Sequence, residues 1–343
     1  MKEPLTEKDL QSVCDGLEEF GIVSPTRWYL HTGSLALDYR ISMKVDSRGG
    51  YPSGCVVELF GEPSTGKSLL LAKAAAEAQK IGILPVIADA EGRWDDEFAA
   101  KQGVDTTKRK LFIPETVEEF AVASHKILKG CAEKGTRVLL ILDSLAILST
   151  LKETEDIEEG DMKMDQGRKA QRIKQAIRVL RSLVGSTGSI MLIANHVIAV
   201  PGSYTHQKVT PGGGGVPFQS SVRIELLNAT PIKIAGKDMA LGVQLHAKVA
   251  KNSVAPPFGT CDIDLYWESG VDKYSGLIDI MVDQDIITQG GAWYTWPADA
   301  VPGIKFQSKN LAKTIQEHPE ILADPKWMKP YFMIGVDNAI RAE

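Results

Sequence analysis

Residues 61–68 read Gly61-Glu62-Pro63-Ser64-Thr65-Gly66-Lys67-Ser68. This stretch follows an apolar run, residues 56–60, and precedes a helix-forming run, residues 69–79. The pattern G-x-x-x-x-G-K-[ST] between a strand and a helix indicates a loop whose backbone N–H groups surround a phosphate. The dipole of the helix directs its positive end at the same anion. We therefore predict that residues 61–68 bind a nucleoside triphosphate, with Lys67 at the β- and γ-phosphates and the Ser68 hydroxyl on Mg²⁺.

The composition excludes several classes of protein. Of the 343 residues, 43% are hydrophobic and 24% are charged, as in ordinary globular proteins with one main domain and smaller attachments. No apolar run approaches the roughly 18 residues that cross a bilayer, and the N-terminus has no apolar core of a signal peptide. The four cysteines are widely separated, which favours reduced thiols in a cytosol-like compartment over disulfides or a metal site. The net charge of the chain is −5, so a surface that binds nucleic acid must be confined to a groove or loop and cannot cover the whole molecule.

Apolar strands alternate with helical segments after the phosphate loop. The runs 84–91, 138–144 and 190–196 are apolar until their last residues, which are polar. A capping box, Thr116 with Glu119, marks the start of one of the intervening helices. This alternation predicts an α/β fold with a mostly parallel sheet that is covered by helices on both faces. Ligands of such sheets bind at the carboxyl ends of the strands, which is where the polar residues lie.

Beyond residue 220 the pattern changes to strands without intervening helices. Residues 222–227, 243–249 and 261–267 are strand-like, which predicts an antiparallel extension of the sheet. The chain is predicted to become helical again at 277–287 and to continue as a mixed segment up to Glu343.

The two ends of the chain are predicted to form separate units. Helical spacing of apolar residues predicts an amphipathic helix at 9–20, which is either a flap on the core or an arm for a neighbouring subunit. The predicted division is an N-terminal helix with an oligomerisation linker at 1–32, a nucleotide-binding core at 33–270 and a small C-terminal domain at 271–343.

The strand ends carry the residues that could do chemistry. Asp143 stands where phosphate-loop enzymes have the acid that holds Mg²⁺ through water, although a strand-end aspartate can also be a helix cap. Glu91 could align and deprotonate the water that attacks a γ-phosphate; Asp89 competes for this role, and a solvated strand terminus is the other interpretation. Asn195 and His196 are placed to sense the γ-phosphate and to pass its presence to the following loop, unless the histidine is a buried residue with satisfied hydrogen bonds.

Two segments that follow strands, 149–166 and 197–219, are predicted to be flexible and to lie at the nucleotide edge of the sheet. The first is acidic and leads into a helix whose buried face is marked by Ile173, Ile177, Leu180 and Val184. The basic residues of this helix either contact a nucleic acid or form a solvated face, and they are Arg168, Lys169, Arg172, Lys174, Arg178 and Arg181.

The second segment contains a run of four glycines at 212–215. A loop of this length inside a compact domain is usually functional or ordered by a ligand. Its glycine N–H groups could grip phosphates, and Tyr204, Ile198 or Val200 could wedge or stack between bases.

From about Trp28 to Glu320 the chain resembles the bacterial RecA recombinase family, including its phage-encoded members. The motifs that carry the resemblance are Thr32-Gly33-Ser34-Leu35-Ala36-Leu37-Asp38, Gly61 to Ser68, Asp89-Ala90-Glu91, Asp143-Ser144, Lys248-Val249-Ala250-Lys251-Asn252, Ala255-Pro256-Pro257-Phe258 and Gly291-Ala292-Trp293-Tyr294. The resemblance implies a RecA-like P-loop NTPase core with a mostly parallel sheet flanked by helices, a small N-terminal helical segment and a small α+β C-terminal domain. It also implies a helical filament in which ATP and Mg²⁺ lie between neighbouring subunits.

The resemblance implies catalytic roles for five residues of this chain. Glu91 would be the catalytic base, and Lys67 and His196 would contact the phosphates beside it. Lys248 and Lys251 would lie at the subunit interface, where Lys251 would touch the neighbour's γ-phosphate as an arginine finger does. Asp143, with Ser68, would be associated with Mg²⁺.

The resemblance implies binding roles as well. Phe98 would pack near the adenine, and Asp95 is placed with it in the nucleotide site. Segments 149–166 and 197–219 would be the two DNA-binding loops, and Phe218 would be the family's interface phenylalanine. The loop residues expected to bind the nucleotide are Gly61, Glu62, Pro63, Ser64, Thr65, Gly66, Lys67 and Ser68.

The chain departs from the family pattern at several points. His196 stands where the family has a glutamine. A histidine can still donate to a phosphate oxygen, but its side chain differs from that of glutamine in its reach and in its charge at pH 7. Ser253 stands where the family has a second interface lysine, which predicts slower hydrolysis or a transfer of that role to Lys248. The second loop is remodelled by its four glycines. The sequence ends at Arg341-Ala342-Glu343 rather than in the family's long acidic tail, which puts regulation by such a tail in doubt.

The favoured hypothesis is a DNA-dependent ATPase that polymerises on single-stranded DNA, pairs it with homologous duplex and exchanges strands. Its expected partners are single- and double-stranded DNA, other copies of itself and, as accessory proteins, single-strand binders and loaders; no membrane is expected among them. Its expected location is the cytoplasm of a bacterium, or of the host if the chain is phage-encoded.

Two other functions are compatible with the same core. A hexameric motor or helicase shares the fold, but the C-terminal segment at 291–294 and the lack of a separate helicase domain argue against it. The other function is that of a regulatory paralogue, which binds nucleotide without catalysis. The intact Lys67, Ser68, Glu91 and Asp143 argue against it, whereas the departures from the family pattern at His196 and Ser253 leave it possible.

Overall fold

The computed structural model describes residues 28–45, 49–160, 166–199, 208–234, 239–297 and 303–328, and the structural statements below refer to these residues. Their strands are β1 (Tyr29–Leu30), β2 (Tyr51–Pro52), β3 (Val56–Gly61), β4 (Leu84–Asp89), β5 (Lys110–Phe112), β6 (Val138–Asp143), β7 (Ile190–His196), β8 (Ile198–Ala199), β9 (Lys208–Val209), β10 (Val222–Lys233), β11 (Ala240–Asn252), β12 (Thr260–Tyr266), β13 (Gly270–Val271), β14 (Thr288–Gly290), β15 (Trp293–Trp296) and β16 (Ile304–Phe306). Their α-helices are α1 (Leu35–Ser42), α2 (Lys67–Lys80), α3 (Asp96–Lys101), α4 (Val117–Lys134), α5 (Leu151–Glu158), α6 (Gln166–Thr187), α7 (Gly215–Gln219), α8 (Leu277–Asp283) and α9 (Leu311–Glu317).

A nine-stranded sheet organises this part of the chain, in the order β13-β12-β11-β10-β3-β7-β6-β4-β5. All neighbouring pairs from β10 to β5 are parallel. The remaining pairs, from β10 to β13, are antiparallel. The predicted α/β class, the mostly parallel sheet and its antiparallel extension are therefore confirmed.

The central strands are apolar because both of their faces are buried. Along β6, Leu139 and Ile141 point into one core with α1 and α2, whereas Leu140 and Leu142 point into a second core with α4 and α6. All four side chains are at most 1% exposed. Burial of such a side chain stabilises a fold by about 1.5–3 kcal/mol, so a continuous apolar run is favoured over alternation here.

Two of the antiparallel strands, β10 and β11, are longer than predicted. β10 and β11 pair from Val222 opposite Asn252 to Lys233 opposite Ala240, well past the edge of the parallel part. The ladder of hydrogen bonds between the two strands maintains the extended conformation where side-chain alternation is weak.

Capping boxes start two of the helices. Thr116 and Glu119 form the predicted box at the start of α4, which is confirmed. A second box, Thr150 with Glu153, starts α5 inside segment 149–166. The expectation that this segment is flexible is therefore wrong for residues 151–158, because each half of the box satisfies an N–H group that a helix start leaves without an intrahelical partner. Residues 161–165 of the segment lie outside the described residues.

The C-terminal part is a small α+β unit, as predicted. α8 ends at Asp283, before the predicted limit of 287, because Asp285 has a φ of 55° that a right-handed helix does not contain. β14, β15 and β16 form a three-stranded antiparallel sheet, and α9 follows. The predicted helix at 9–20 and the end of the chain, 329–343, lie outside the described residues. The domain limits at 32 and 270 stay predictions.

Within the ranges given above, no helix is long and apolar enough to cross a bilayer.

Candidate active site

The phosphate loop connects β3 to the first turn of α2. Gly66 has a φ of 82°, a left-handed conformation that favours glycine, and a Cβ there would lie 2.8 Å from Leu245. A Cβ on Gly61 would lie 2.4 Å from the carbonyl oxygen of Leu226. Because Gly66 is the N-cap and provides no side-chain hydrogen bond, the first N–H groups of α2 remain available to an anion. The loop therefore fits a bound phosphate.

A cavity of about 440 Å³ lies against this loop. It brings together residues that are distant in sequence at the carboxyl ends of β3, β4, β6 and β7. The predicted site residues that line it are Pro63, Ser64, Gly66, Lys67, Ser68, Glu91, Asp95, Phe98, Asp143 and His196. Gly61, Glu62 and Thr65 belong to the same loop but are not part of the cavity wall.

The Lys67 amine lies at the polar end of the cavity. It donates to the carbonyl oxygens of Gly61 (3.1 Å) and Glu62 (2.7 Å). Burial lowers the pKa of Lys67, and the negative charges of Asp143, Glu91 and Glu62 oppose that shift. These contacts keep the cation beside the loop, where it can pair with a phosphate.

Three carboxylates surround this end of the cavity, those of Asp89, Glu91 and Asp143. Burial raises the pKa of Asp143, as do the charges of Glu91 and Asp89, while the Ser68 hydrogen bond and the Lys67 charge act in the opposite direction. An excess of negative charge at hard oxygen donors suits Mg²⁺. Within the described ranges no group of three or more His, Cys, Asp or Glu side chains forms a metal cage. Mg²⁺ at nucleotide sites takes one or two carboxylates and completes its shell with phosphates and water, so Ser68 and Asp143 fit such an ion.

Glu91 is held by three neighbouring groups. The Ser144 hydroxyl donates to its Oε1 at 2.7 Å, His196 Nε2 lies 3.1 Å from the same oxygen, and Arg93 lies 3.7 Å from Oε2. Burial alone would raise the pKa of Glu91, but the hydrogen bonds from Ser144 and His196 and the Arg93 charge lower it overall. The carboxylate is therefore ionised and oriented, as a general base must be.

Asp89 is the less suitable of the two competing bases. β4 ends at this residue, and Glu91 lies in the turn that follows, not at the strand end itself. The Asp89 carboxylate accepts a hydrogen bond from the Trp94 backbone at 2.8 Å, so it holds that turn together.

We expect Ser144→Ala to shift the pH dependence of ATP hydrolysis. Without the hydroxyl donor the pKa of Glu91 should rise towards its ordinary value, and since the base acts only when ionised, the acid limb of the pH–rate profile should move to higher pH. The plateau rate should fall about ten-fold, at the lower end of the effect of losing one hydrogen bond to a charged group. The profile of kcat against pH measures both effects. Ser186→Ala, whose hydroxyl donates to the Leu183 carbonyl, is the matched control. An unmoved acid limb in Ser144→Ala would show that Ser144 does not orient Glu91.

His196 is not a core histidine with satisfied hydrogen bonds. Its side chain is 26% exposed and contacts Glu91 through Nε2. Its Nδ1 is buried and has no hydrogen-bond partner among the described residues. The alternative of a buried histidine with satisfied hydrogen bonds is therefore disfavoured. The role of His196 at the γ-phosphate stays a prediction.

The other end of the cavity is apolar. Phe98 lies there, and Asp95 caps α3 by accepting from the backbone N–H groups of Glu97 (2.8 Å) and Phe98 (3.2 Å). Sequence reasoning missed Trp94, Val243, Leu265 and Trp267, which also line the cavity. Trp94 lies between two predicted site residues, Glu91 and Asp95, and could have been found from that position. The other three come from β11, the end of β12 and the turn after it, and no local signal marks them.

Lys248 and Lys251 do not line the cavity of their own subunit; both lie on β11. The Lys251 amine donates to the carbonyl oxygens of Pro217 (2.8 Å) and Phe218 (3.0 Å). Burial lowers the pKa of Lys251, and the positive charges of Arg181 and Arg223 lower it further. The Phe218 side chain is 72% exposed. Phe218 is thus exposed, whereas Lys248 and Lys251 are half-buried.

The second loop packs on the basic helix α6. The predicted buried face of α6 is confirmed, since Ile173, Ile177, Leu180 and Val184 are at most 1% exposed. The glycine run lies against the helix so closely that a Cβ on Gly215 would be 2.8 Å from the Cβ of Lys174. Residues 200–207, with Val200 and Tyr204, lie outside the described residues, so the predicted contacts to bases stay predictions.

Comparisons with known proteins agree with this geometry. A family model described as the RecA N-terminal domain matches residues 27–272. Protein RecA of Lactobacillus acidophilus is 35% identical over 292 residues, which cover 84% of this chain and 76% of that protein. Protein RecA of Geobacter metallireducens is 32% identical over 294 residues (85% and 82%), and that of Enterococcus hirae is 32% identical over 314 residues (91% and 86%). With a phosphate loop and the carboxylates of Glu91 and Asp143 in one cavity, and a match over most of its length, the chain belongs to the RecA recombinase family.

Proposed function

We propose that this chain polymerises on single-stranded DNA and uses ATP to pair that strand with homologous duplex and exchange strands. It is a DNA-dependent ATPase that takes ATP with Mg²⁺, and its partners are single- and double-stranded DNA and other copies of itself. The observation that carries this proposal is the single cavity in which Lys67, Glu91, Asp143 and His196 meet.

The residues that line the cavity have different roles in ATP hydrolysis. Glu91 takes a proton from the attacking water as the new O–P bond forms and the bond to the β-phosphate oxygen breaks. Lys67 and the N–H groups at the start of α2 bind the phosphates. Ser68 and Asp143 would hold Mg²⁺, which would neutralise part of the phosphate charge. Phe98 and Asp95 belong to the end that receives the base.

The second half of the site comes from the next subunit. Lys248 and Lys251 lie on β11, outside the cavity of their own chain, so they can serve a neighbour's nucleotide. Positive charge placed there neutralises the phosphoryl group in the transition state, as an arginine finger does. ATP binding then creates the filament interface, and hydrolysis loosens it and releases DNA.

Several further assignments are part of the same proposal. The two DNA-binding loops are 149–166 and 197–219. The chain acts in the cytoplasm of a bacterium, or of a host cell if a phage encodes it, and accessory proteins of the single-strand-binding and loader types assist it.

ATPase activity with and without single-stranded DNA tests the proposal, with electron microscopy of the same samples. We expect hydrolysis that depends on DNA, and helical filaments that form with ATP and DNA. Closed rings, or hydrolysis indifferent to DNA, would instead support a hexameric motor.

We expect Ser253→Lys to raise DNA-dependent hydrolysis about three- to ten-fold, because it adds a second cation near the neighbour's phosphates. Ser253 is exposed at the end of β11, so the longer side chain has room. Steady-state ATPase rates with single-stranded DNA measure the effect. Ser186→Lys, an exposed serine near the end of α6, controls for added charge because α6 leads into β7, which is three strands away from β11 in the sheet. An unchanged rate in Ser253→Lys would count against a missing interface cation as the limit on hydrolysis.

A further inference from the structure

A buried ion pair lies directly beneath the second DNA loop. Glu58 on β3 is fully buried, and the guanidinium of Arg223 on β10 donates to its Oε2 at 2.5 Å. The amide of Asn195 on β7 donates to the other oxygen of Glu58 at 2.9 Å. The three residues come from adjacent parallel strands, with β3 in the middle.

These polar groups interrupt an otherwise apolar face of the sheet. On the same face, Val56 precedes Glu58 by two residues and Ile193 precedes Asn195 by two, and both are fully buried. The Arg223 guanidinium also lies 4.3 Å from the centre of the Phe60 ring, which fixes its plane. A buried ion pair seldom stabilises a fold more than apolar side chains of the same size would, so stability alone is a weak explanation for charges here.

The network touches the nucleotide side at one end. Asn195 precedes His196, and the His196 backbone N–H lies 3.0 Å from the Asn195 side-chain oxygen. That oxygen can accept the hydrogen bond while the amide nitrogen is held by Glu58. The position of His196 beside Glu91 is therefore linked to the ion pair through a single side chain.

The network touches the second loop at its other end. The Asn195 amide lies 3.2 Å from the Pro211 carbonyl oxygen, and Arg223 lies 3.4 Å from the Thr210 hydroxyl. Both loop residues immediately precede the glycine run that packs on α6. Arg223 is also the partner of Lys251 in the antiparallel ladder, so the same arginine lies beside the cation proposed to act on the neighbour's nucleotide.

We propose that Glu58 and Arg223 are positioning residues that couple the nucleotide cavity to the second DNA loop, an inference that rests on the proposed DNA-dependent ATPase. Glu58 orients the Asn195 amide, and Asn195 and Arg223 together hold residues 210 and 211. A shift of His196 at the phosphate then moves the base of the loop, and DNA on the loop fixes His196 beside Glu91. Such a link is reciprocal, as coupling between two binding sites must be.

Arg223→Lys tests this link, because a lysine keeps the positive charge for Glu58 but loses the planar fork that reaches Thr210 and covers Phe60. We expect the KM for ATP and the hydrolysis without DNA to stay within about two-fold, while the stimulation by DNA falls about ten-fold, a usual size for coupling between sites. Lys313→Gln, which removes an exposed ion pair with Glu317, is the control and should leave all three quantities unchanged.

A second variant separates positioning from folding. Glu58→Gln combined with Arg223→Gln leaves no buried charge without a partner, so it should fold where a single neutral substitution destabilises the chain. We expect this double variant to melt close to the parent and still to lack DNA stimulation. Full DNA stimulation in the double variant would overturn the proposal. The proposal would also be overturned if either variant lost ATP binding and thermal stability to the same extent as it lost stimulation by DNA.

The parent chain distinguishes failure of this inference from failure of the proposed function. If the parent hydrolyses ATP without regard to DNA, the proposed function fails, and the coupling role fails with it. If the parent is stimulated by DNA and both variants are stimulated equally well, only the coupling role is overturned.

Discussion

Glu91→Gln should abolish ATP turnover while leaving ATP and DNA binding in place. The amide has the size of the carboxylate and can still accept from Ser144, whose hydroxyl lies 2.7 Å from Oε1. It cannot take the proton of the attacking water, and a general base commonly contributes about 10²- to 10⁴-fold to a rate. We therefore expect kcat to fall by about that factor, with filaments on DNA that persist because ATP is not consumed.

Three measurements check this expectation. Steady-state ATPase rates give the loss of turnover, binding of a fluorescent ATP analogue shows whether the site is intact, and electron microscopy shows the filaments. Glu133→Gln, at an exposed position near the end of α4, is the matched control. Hydrolysis at the parent rate would exclude Glu91 as the base, and Asp89→Asn would then be the variant to measure.

Lys251→Gln should lower turnover about 10³-fold, at the lower end of the effect of an arginine finger. Its amine is the cation proposed to reach the neighbour's γ-phosphate, and it lies outside the cavity of its own subunit. Nucleotide binding by a single subunit should therefore survive. Lys248→Gln, on the same strand, shows whether the second lysine shares the role. A larger loss in Lys248→Gln than in Lys251→Gln would transfer the role to Lys248.

Mixed filaments test whether the site is shared between subunits. In an equal mixture of Glu91→Gln and Lys251→Gln chains, about a quarter of the head-to-tail interfaces combine an intact Glu91 with an intact Lys251. Such a mixture should recover up to about a quarter of the parent rate, although each variant alone is inactive. Absence of recovery in filaments that contain both chains would mean that the two residues act within one subunit, or that Lys251 does not act on the phosphate.

Much of the site could be predicted because its signals are local. The phosphate loop occupies eight consecutive residues between a strand and a helix, and the capping box at Thr116 needs four. Glu91, Asp143 and His196 could be placed together because the carboxyl ends of parallel strands share one edge of the sheet. The capping box at Thr150 is an equally local signal, and it starts α5 inside the segment that was predicted to be flexible.

The rest depends on contacts between distant residues. Trp267 reaches the cavity, and Glu58 meets Arg223, because the order of strands places β10 beside β3, and β11 and β12 beyond β10. Glu58 and Arg223 are 165 residues apart and face each other through the register of two parallel strands. The orientation of Glu91 by Ser144 likewise spans 53 residues.

Neighbouring residues alone are enough to predict nucleoside triphosphate binding on a mostly parallel sheet, because a phosphate-binding turn, the dipole of the following helix and the spacing of apolar residues are local properties of the chain. The groups that hold Glu91, and the charges beneath the second loop, could not be predicted in this way. Those contacts follow from strand order and register, which arise when the parallel strands are buried between helices on both faces and the antiparallel strands pair beside them.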